Sequence, residues 1–278
     1  MTRKPTRPIV RYHGGKWRLA PWIIGHFPSH RIYTEAYGGG GSVLMRKPRS
    51  YCEVYNDLDG EMVNVFRVLR NPSQSRELLR LIYLTPFSRD EFVASYIASD
   101  DPIEQARRTI ARSFMGFGSA ATNTDHSTGF RANSNRSGTT PAHDWQHYPE
   151  HLVDLIERLR GVVIENRDAL DVIRAHDAPD ALHYVDPPYP LSVRYLSRGH
   201  AHVSVYRHEM TDDQHIEMAA TLHQCRGMVI VSGYQCPLYD DVFRDWHAVS
   251  RAAQADSRRD RIETLWISPN SVTTPQLF

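Results

Sequence analysis

Residues 182–189 read Leu182-His183-Tyr184-Val185-Asp186-Pro187-Pro188-Tyr189. The first four form a short, largely apolar run of the kind a buried strand uses. Two prolines then end the ladder, because neither can donate a backbone N–H and each fixes its own φ. The strand therefore delivers two acceptors onto one stiff turn, the carboxylate of Asp186 and the carbonyl of Pro187, with the ring of Tyr189 beside them. Two such acceptors suit an exocyclic aromatic amine, a poor nucleophile because its lone pair is delocalised into the ring. Accepting hydrogen bonds from both N–H groups favours a tetrahedral nitrogen with an available lone pair. Tyr189 offers a flat face on which an extruded base can stack. Adenine N6 and cytosine N4 fit this chemistry equally.

Upstream, Arg31–Tyr37 alternates as a strand does, and Gly38-Gly39-Gly40-Gly41 breaks it before a helix can start at Ser42. Glycines at that place let the backbone approach a nucleotide-like ligand at the carboxyl end of a first strand. A second strand, Tyr51–Asn56, ends in Asn56-Asp57, where an acid can hydrogen-bond ribose hydroxyls. A GxGxxG run with a phosphate-binding turn is not cleanly present. That favours a nucleoside without pyrophosphate, such as S-adenosylmethionine, over a dinucleotide.

The remaining pattern is α/β. Asp59–Arg70 has helical spacing, Gly161–Glu165 and Gly227–Gly233 read as strands, and Thr211 can cap a helix running to about Gln224. Trp246–Ser250 and Glu263–Ile267 can pair as a hairpin, with Trp246 and Trp266 in the core. Strands alternating with helices predict a mostly parallel, doubly wound sheet. Between residues 71 and 160 the pattern changes to two helical stretches, Ser75–Tyr83 and Arg89–Met115, followed by a polar tract from Gly116 to Trp145. This predicts an inserted module at 71–160, with the catalytic domain split between 1–70 and 161–278.

The 278 residues carry a net charge of only +1, so bulk charge does not announce a nucleic-acid partner. Its distribution is more telling: Arg3, Lys4, Arg7, Arg11, Lys16 and Arg18 precede any acid, and Arg107, Arg108, Arg112, Arg131 and Arg136 face only Asp125 within their stretch. Such stretches suit a phosphate-binding face or a plain solvated one. No run approaches the roughly 20 apolar residues of a membrane span, and the basic N-terminus has no apolar core behind it, so no signal peptide is expected. Cys52, Cys225 and Cys236 form no CxxC pair and read as free thiols in a reducing cytoplasm. None of the 15 histidines combines metal-ligand spacing with nearby cysteines, so no metal is expected, and His200 and His202 read as loop residues.

Taken together, these motifs resemble those of the Dam-like, D12-class DNA adenine methyltransferases over nearly the whole chain. Tyr12-His13-Gly14-Gly15-Lys16 is similar to the family's N-terminal YxGGK element. Glu35–Ser42 resembles its (D/E)xFxGxGS loop, with Tyr37 in place of the usual Phe. Asn56-Asp57 matches its ND. Asn166-Arg167-Asp168-Ala169 falls where the family often has an xxDF element; Asp168 matches and Ala169 departs from the aromatic. Asp186–Tyr189 is similar to its DPPY motif.

The resemblance implies a Rossmann-like S-adenosylmethionine-dependent methyltransferase sheet with an inserted, mostly helical target-recognition domain. It implies double-stranded DNA as partner and a bacterial or phage cytoplasm as location, with no membrane; no motif sets an oligomeric state. Asp186, Pro187 and Tyr189 would be catalytic. Tyr12, Gly14, Lys16, Glu35, Tyr37, Gly38, Gly40, Ser42, Asp57, Asp168, Ala169 and Asp186 would line the cofactor pocket. Arg112, Gly116, Arg131, Asn133, Asn135 and Arg136 lie in the tract expected to meet DNA, and Arg and Asn can read guanine and adenine edges bidentately. Apart from the resemblance, the position of the loop Pro190–Glu209 directly after the Asp186–Tyr189 turn predicts that it closes over a flipped base. The competing readings are amino methylation of RNA adenine, DNA cytosine N4 or a protein amide, and a non-catalytic nucleotide- or DNA-binding protein.

Overall fold

A computed structural model describes residues 4–117, 128–132, 138–194, 206–254 and 260–272. The strands are β1 (Ile32–Glu35), β2 (Cys52–Asn56), β3 (Val162–Glu165), β4 (Ala181–Val185), β5 (Met228–Tyr234), β6 (His247–Gln254) and β7 (Asp260–Ile267). They form one sheet in the order β3-β2-β1-β4-β5-β7-β6. The first five run parallel, and β7 runs against both β5 and β6. This is the doubly wound, Rossmann-like sheet expected, closed by the expected C-terminal hairpin.

The chain moves outward from β1 through β2 to β3, then returns to the other side of β1 as β4. Strand order thus reverses between β1 and β4, and ligands bind open α/β sheets in the crevice at such a switch point. Glu35 lies in register with Tyr184, so Glu35 ends one strand beside Asp186, which follows the other.

The helices are α1 (Ala20–Ile24), α2 (Ser42–Arg46), α3 (Gly60–Arg70), α4 (Pro72–Leu84), α5 (Arg89–Ala94), α6 (Pro102–Met115), α7 (Pro141–Gln146), α8 (Tyr148–Leu159), α9 (Ala169–His176), α10 (Leu191–Arg194), α11 (Asp212–His223), α12 (Pro237–Val242) and α13 (Pro269–Val272). Their starts have local causes. Asp59 caps α3 by accepting from the Glu61 N–H, and Thr211 with Gln214 makes a reciprocal capping box on α11. The single helix expected over Arg89–Met115 is two, because Asp101 caps a new start and Pro102 has no N–H to continue an older helix.

The two faces of the sheet carry separate cores. One face packs Val185, Val231 and Trp266 with Met218, Tyr239 and Trp246. The other packs Tyr33, Tyr184 and Leu265 with Phe66 and Leu69 of α3. The same core continues into residues 71–160 through Leu78, Ile82, Ile110, Phe114, Trp145 and Leu152. The helices of residues 71–160 are therefore built onto the sheet's own core. Within the polar tract, residues 118–127 and 133–137 lie outside the described residues; the flanking chain makes one antiparallel bridge, Gly116 to Phe130. No helix among the described residues is long and apolar enough to cross a membrane.

Candidate active site

The glycine turn after β1 is shaped by close approach. Gly38 donates its N–H to the Asn56 carbonyl at 2.8 Å. A Cβ on Gly38 would stand 2.2 Å from the Tyr55 ring, which excludes any side chain without movement. Gly41 adopts φ +62° just before α2, a conformation that favours glycine. Asn56 then ties the turn to the segment after β3, donating to the Ala36 and Arg167 carbonyls and accepting from the Arg167 N–H.

Two carboxyl groups stand at this turn, Glu35 buried and Asp57 half-buried. Asp57 accepts from the Gly39 N–H at 2.7 Å and the Asp59 N–H at 2.8 Å. Burial dominates those bonds and raises its pKa to about 6. Glu35 accepts from the Tyr33 hydroxyl and the Leu44 N–H, both at 2.8 Å, and burial raises its pKa to about 8. On the opposite wall Asp168 caps α9, accepting from the Leu170 and Asp171 N–H groups.

A cavity of about 370 Å³ opens at the carboxyl ends of β1, β2 and β4. Its wall includes Tyr12, Gly14, Lys16, Glu35, Tyr37, Gly38, Gly40, Ser42, Asp57, Asp168, Ala169 and Asp186. Residues scattered over 175 positions of sequence thus meet at one switch point. Ala169 contributes backbone and a methyl group where an aromatic was the family pattern.

At one end of the cavity lies a buried polar cluster. The Asp186 Oδ1 accepts from Lys16 Nζ at 2.9 Å and from the Ser232 hydroxyl at 2.9 Å, and Ser232 is bonded in turn to the Tyr184 hydroxyl. Lys16 also donates to the Gly14 carbonyl and lies 3.6 Å from Glu263. Burial alone would lower the Lys16 pKa, but Asp186 and Glu263 override it and hold the ammonium above its ordinary value. Both of these contacts to Asp186 fall on the same carboxylate oxygen.

Several sequence expectations need correction. Tyr189 does not present its ring to the cavity here. It is buried, its hydroxyl donates to Glu263 at 2.5 Å, and its ring lies under Lys16 Nζ and edge-on to Tyr234. Arg112 is not placed to read DNA: it is 1% exposed, ion-paired to Glu61 at 2.6 Å and bonded to the Ser95 carbonyl. Arg131 is likewise buried and donates to the Phe114 carbonyl. Arg107 and Arg108 pair with Glu91 and Glu104, so that part of the basic tract is internally neutralised. Charge counting missed this because three of the partners, Glu61, Glu91 and Glu104, lie earlier in the chain than the tract itself. Asn133, Asn135 and Arg136 lie outside the described residues, as do His200 and His202.

Other wall residues had no motif to announce them. Of the loop 190–209, residues 195–205 lie outside the described residues, but Tyr206–Met210 return to the cavity wall. Arg207 bridges Asp59 at 2.9 Å and Glu61 at 2.8 Å, and the Tyr206 hydroxyl sits 2.7 Å from where a Gly14 Cβ would be. The described end of this loop thus lines the cavity. Glu263 was also missed, although an acid in the otherwise apolar alternation of β7 is a readable signal. Asp177, His183 and Cys225 come close enough to suggest a metal cluster. Their ligand atoms are engaged: Asp177 accepts from the Arg226 and Gly227 N–H groups and contacts His183, whose other ring nitrogen meets Thr34. Cys225 donates to the Thr221 carbonyl, and burial pushes its thiol up to about 12.

A search of curated proteins returns no significant match. A comparison with known protein families matches residues 12–256 to the family described as D12 class N6 adenine-specific DNA methyltransferase. That span includes the glycine turn, residues 71–160 and the Asp186–Tyr189 turn, and so every residue of the cavity wall described above. The chain belongs to the D12 class of N6 adenine-specific DNA methyltransferases and methylates adenine N6 in DNA at specific sites.

Proposed function

We propose that the cavity binds S-adenosylmethionine and that Asp186 receives an adenine taken out of duplex DNA. The observation that carries this reading is the meeting of the cavity with the Asp-Pro-Pro-Tyr turn, since Asp186 and Pro188 share the wall with the glycine turn and Asp57. The fit is chemical as well as spatial. A nucleoside carrying an amino acid suits a cavity of a few hundred Å³, and a carboxylate fixed by two backbone N–H groups suits a ribose diol. Asp57 would hold the ribose, Tyr37, Asp168 and Ala169 the adenine, and the Gly14–Lys16 segment the remainder. When bound, the donor supplies an electrophilic methyl group on a sulfonium. The protein's part is to accept hydrogen bonds from the target amine at Asp186 and the Pro187 carbonyl, and to exclude water with Tyr206–Met210. Residues 71–160 would recognise the target sequence.

The ionised form of Asp57 is the one that accepts two hydroxyls, so affinity should fall as pH drops through the raised pKa of about 6. Donor affinity measured by calorimetry is expected to weaken about tenfold from pH 7 to pH 5 in the wild type. Asp57→Asn should bind weakly and show a flat pH profile. An equally steep profile in Asp57→Asn would remove Asp57 from the ribose site.

Methylation in a host expressing the protein tests the DNA reading. Single-molecule sequencing of its DNA should show N6-methyladenine confined to one short recognition sequence. Methylation scattered without a shared sequence would contradict a target-recognition role for residues 71–160.

A further inference from the structure

Strand β7 places Glu263, Leu265 and Ile267 on one face, by the two-residue period of a strand. Leu265 and Ile267 belong to the apolar core, and Glu263 beside them is 2% exposed. A carboxylate in that row is costly unless it is hydrogen-bonded. Its Oε1 accepts from the Tyr189 hydroxyl at 2.5 Å and lies 3.6 Å from Lys16 Nζ. Lys16 reaches Asp186 at 2.9 Å. One carboxylate, 74 residues downstream of Tyr189, therefore ties together the first and last residues of the catalytic turn.

We propose that Glu263 is a positioning residue for methyl transfer, fixing Tyr189 directly and Asp186 through Lys16. It stands behind the cavity wall and acts only through its two partners. The inference rests on the role given above to the Asp186–Tyr189 turn. A scaffold role would show itself in stability or donor affinity. A positioning role shows itself in the rate of transfer at unchanged affinity, and its effect merges with that of the Tyr189 hydroxyl.

The test compares single-turnover methylation of duplex DNA, donor affinity and melting temperature for the wild-type protein and five variants. Glu263→Ala is expected to slow transfer about 30-fold or more, with the donor Kd within about threefold of wild type. Glu263→Gln still accepts the phenol and should recover to within about fivefold of wild type. Tyr189→Phe should slow transfer about tenfold, and adding Glu263→Ala to it should cost less than about threefold more than Glu263→Ala alone. Should Glu263→Ala not fold, Glu263→Asp keeps the charge but withdraws it by one methylene, and should be about tenfold slower at an unchanged melting temperature. Wild-type rates in Glu263→Ala, or in Glu263→Asp where that variant decides, would overturn the proposal. So would a loss confined to donor affinity, or effects that multiply in the double variant. Wild-type protein that leaves no N6-methyladenine on the same DNA would overturn the underlying reading and the proposal together.

Discussion

Asp186→Ala protein is expected to bind S-adenosylmethionine within about threefold of wild type while losing methyl transfer by about 10³-fold or more. The separation follows from where Asp186 stands. It follows β4, while Asp57, Asp168 and the glycine turn come from other segments of the cavity wall. Removing its carboxylate leaves Lys16 near Glu263, so the ammonium keeps a buried counter-charge. What is lost is the acceptor for the target amine, and with it the means to free the nitrogen lone pair. Calorimetric donor binding and single-turnover transfer on the same preparation measure the two effects side by side. An equal loss in both would make Asp186 a cofactor ligand only.

The second large effect concerns stability. Arg112 joins Glu61 on α3 to Ser95 after α5, and its guanidinium lies over the Tyr96 ring. Glu61 in turn holds Arg207 on the cavity wall. Glu61 keeps Arg207, so the loss is that of the buried guanidinium's own charge-assisted hydrogen bonds to Glu61 and Ser95, about 3–5 kcal/mol together, which for a chain of this size lowers Tm by roughly 6–20 °C. Arg112→Ala should therefore melt that much earlier, yet bind DNA normally when assayed well below its own Tm. Burial alone would raise the Glu61 pKa, but Arg112 and Arg207 hold it below the usual carboxylate range. The pair's contribution is thus present above the ordinary glutamate pKa and lost as pH falls through the depressed one. The gap between wild type and Arg112→Ala should narrow over that acidic interval. An unchanged Tm together with lost DNA binding would return Arg112 to the interface.

The contrast between these two residues shows what the sequence made legible. Asp186 sits in a pattern whose every position has a local meaning: a strand, an acid, two prolines and an aromatic. The glycine turn and Asp57 are legible for the same reason, and the parallel sheet follows from apolar runs separated by helices. Arg112 had no such local sign. An arginine on a helix reads as solvated or ligand-facing, and its partners Glu61 and Ser95 are supplied by tertiary packing that periodicity does not report. The break between α5 and α6 was readable in Asp101-Pro102, but the apolar positions on either side masked it. Ser232 lay hidden inside the apolar run of β5 because its role is defined only by β4 alongside. Tyr189 shows a subtler limit. Its presence in the turn was plain, but its hydroxyl meets Glu263, which β7 supplies from 74 residues downstream.

The most direct measurement incubates purified protein with S-adenosylmethionine labelled in its methyl group and mixed-sequence duplex DNA, then digests the DNA to nucleosides and separates them. The account predicts label in N6-methyldeoxyadenosine, and none with Asp186→Ala at matched donor occupancy. Label in N4-methyldeoxycytidine, or no labelled nucleoside from duplex DNA of any sequence, would contradict it.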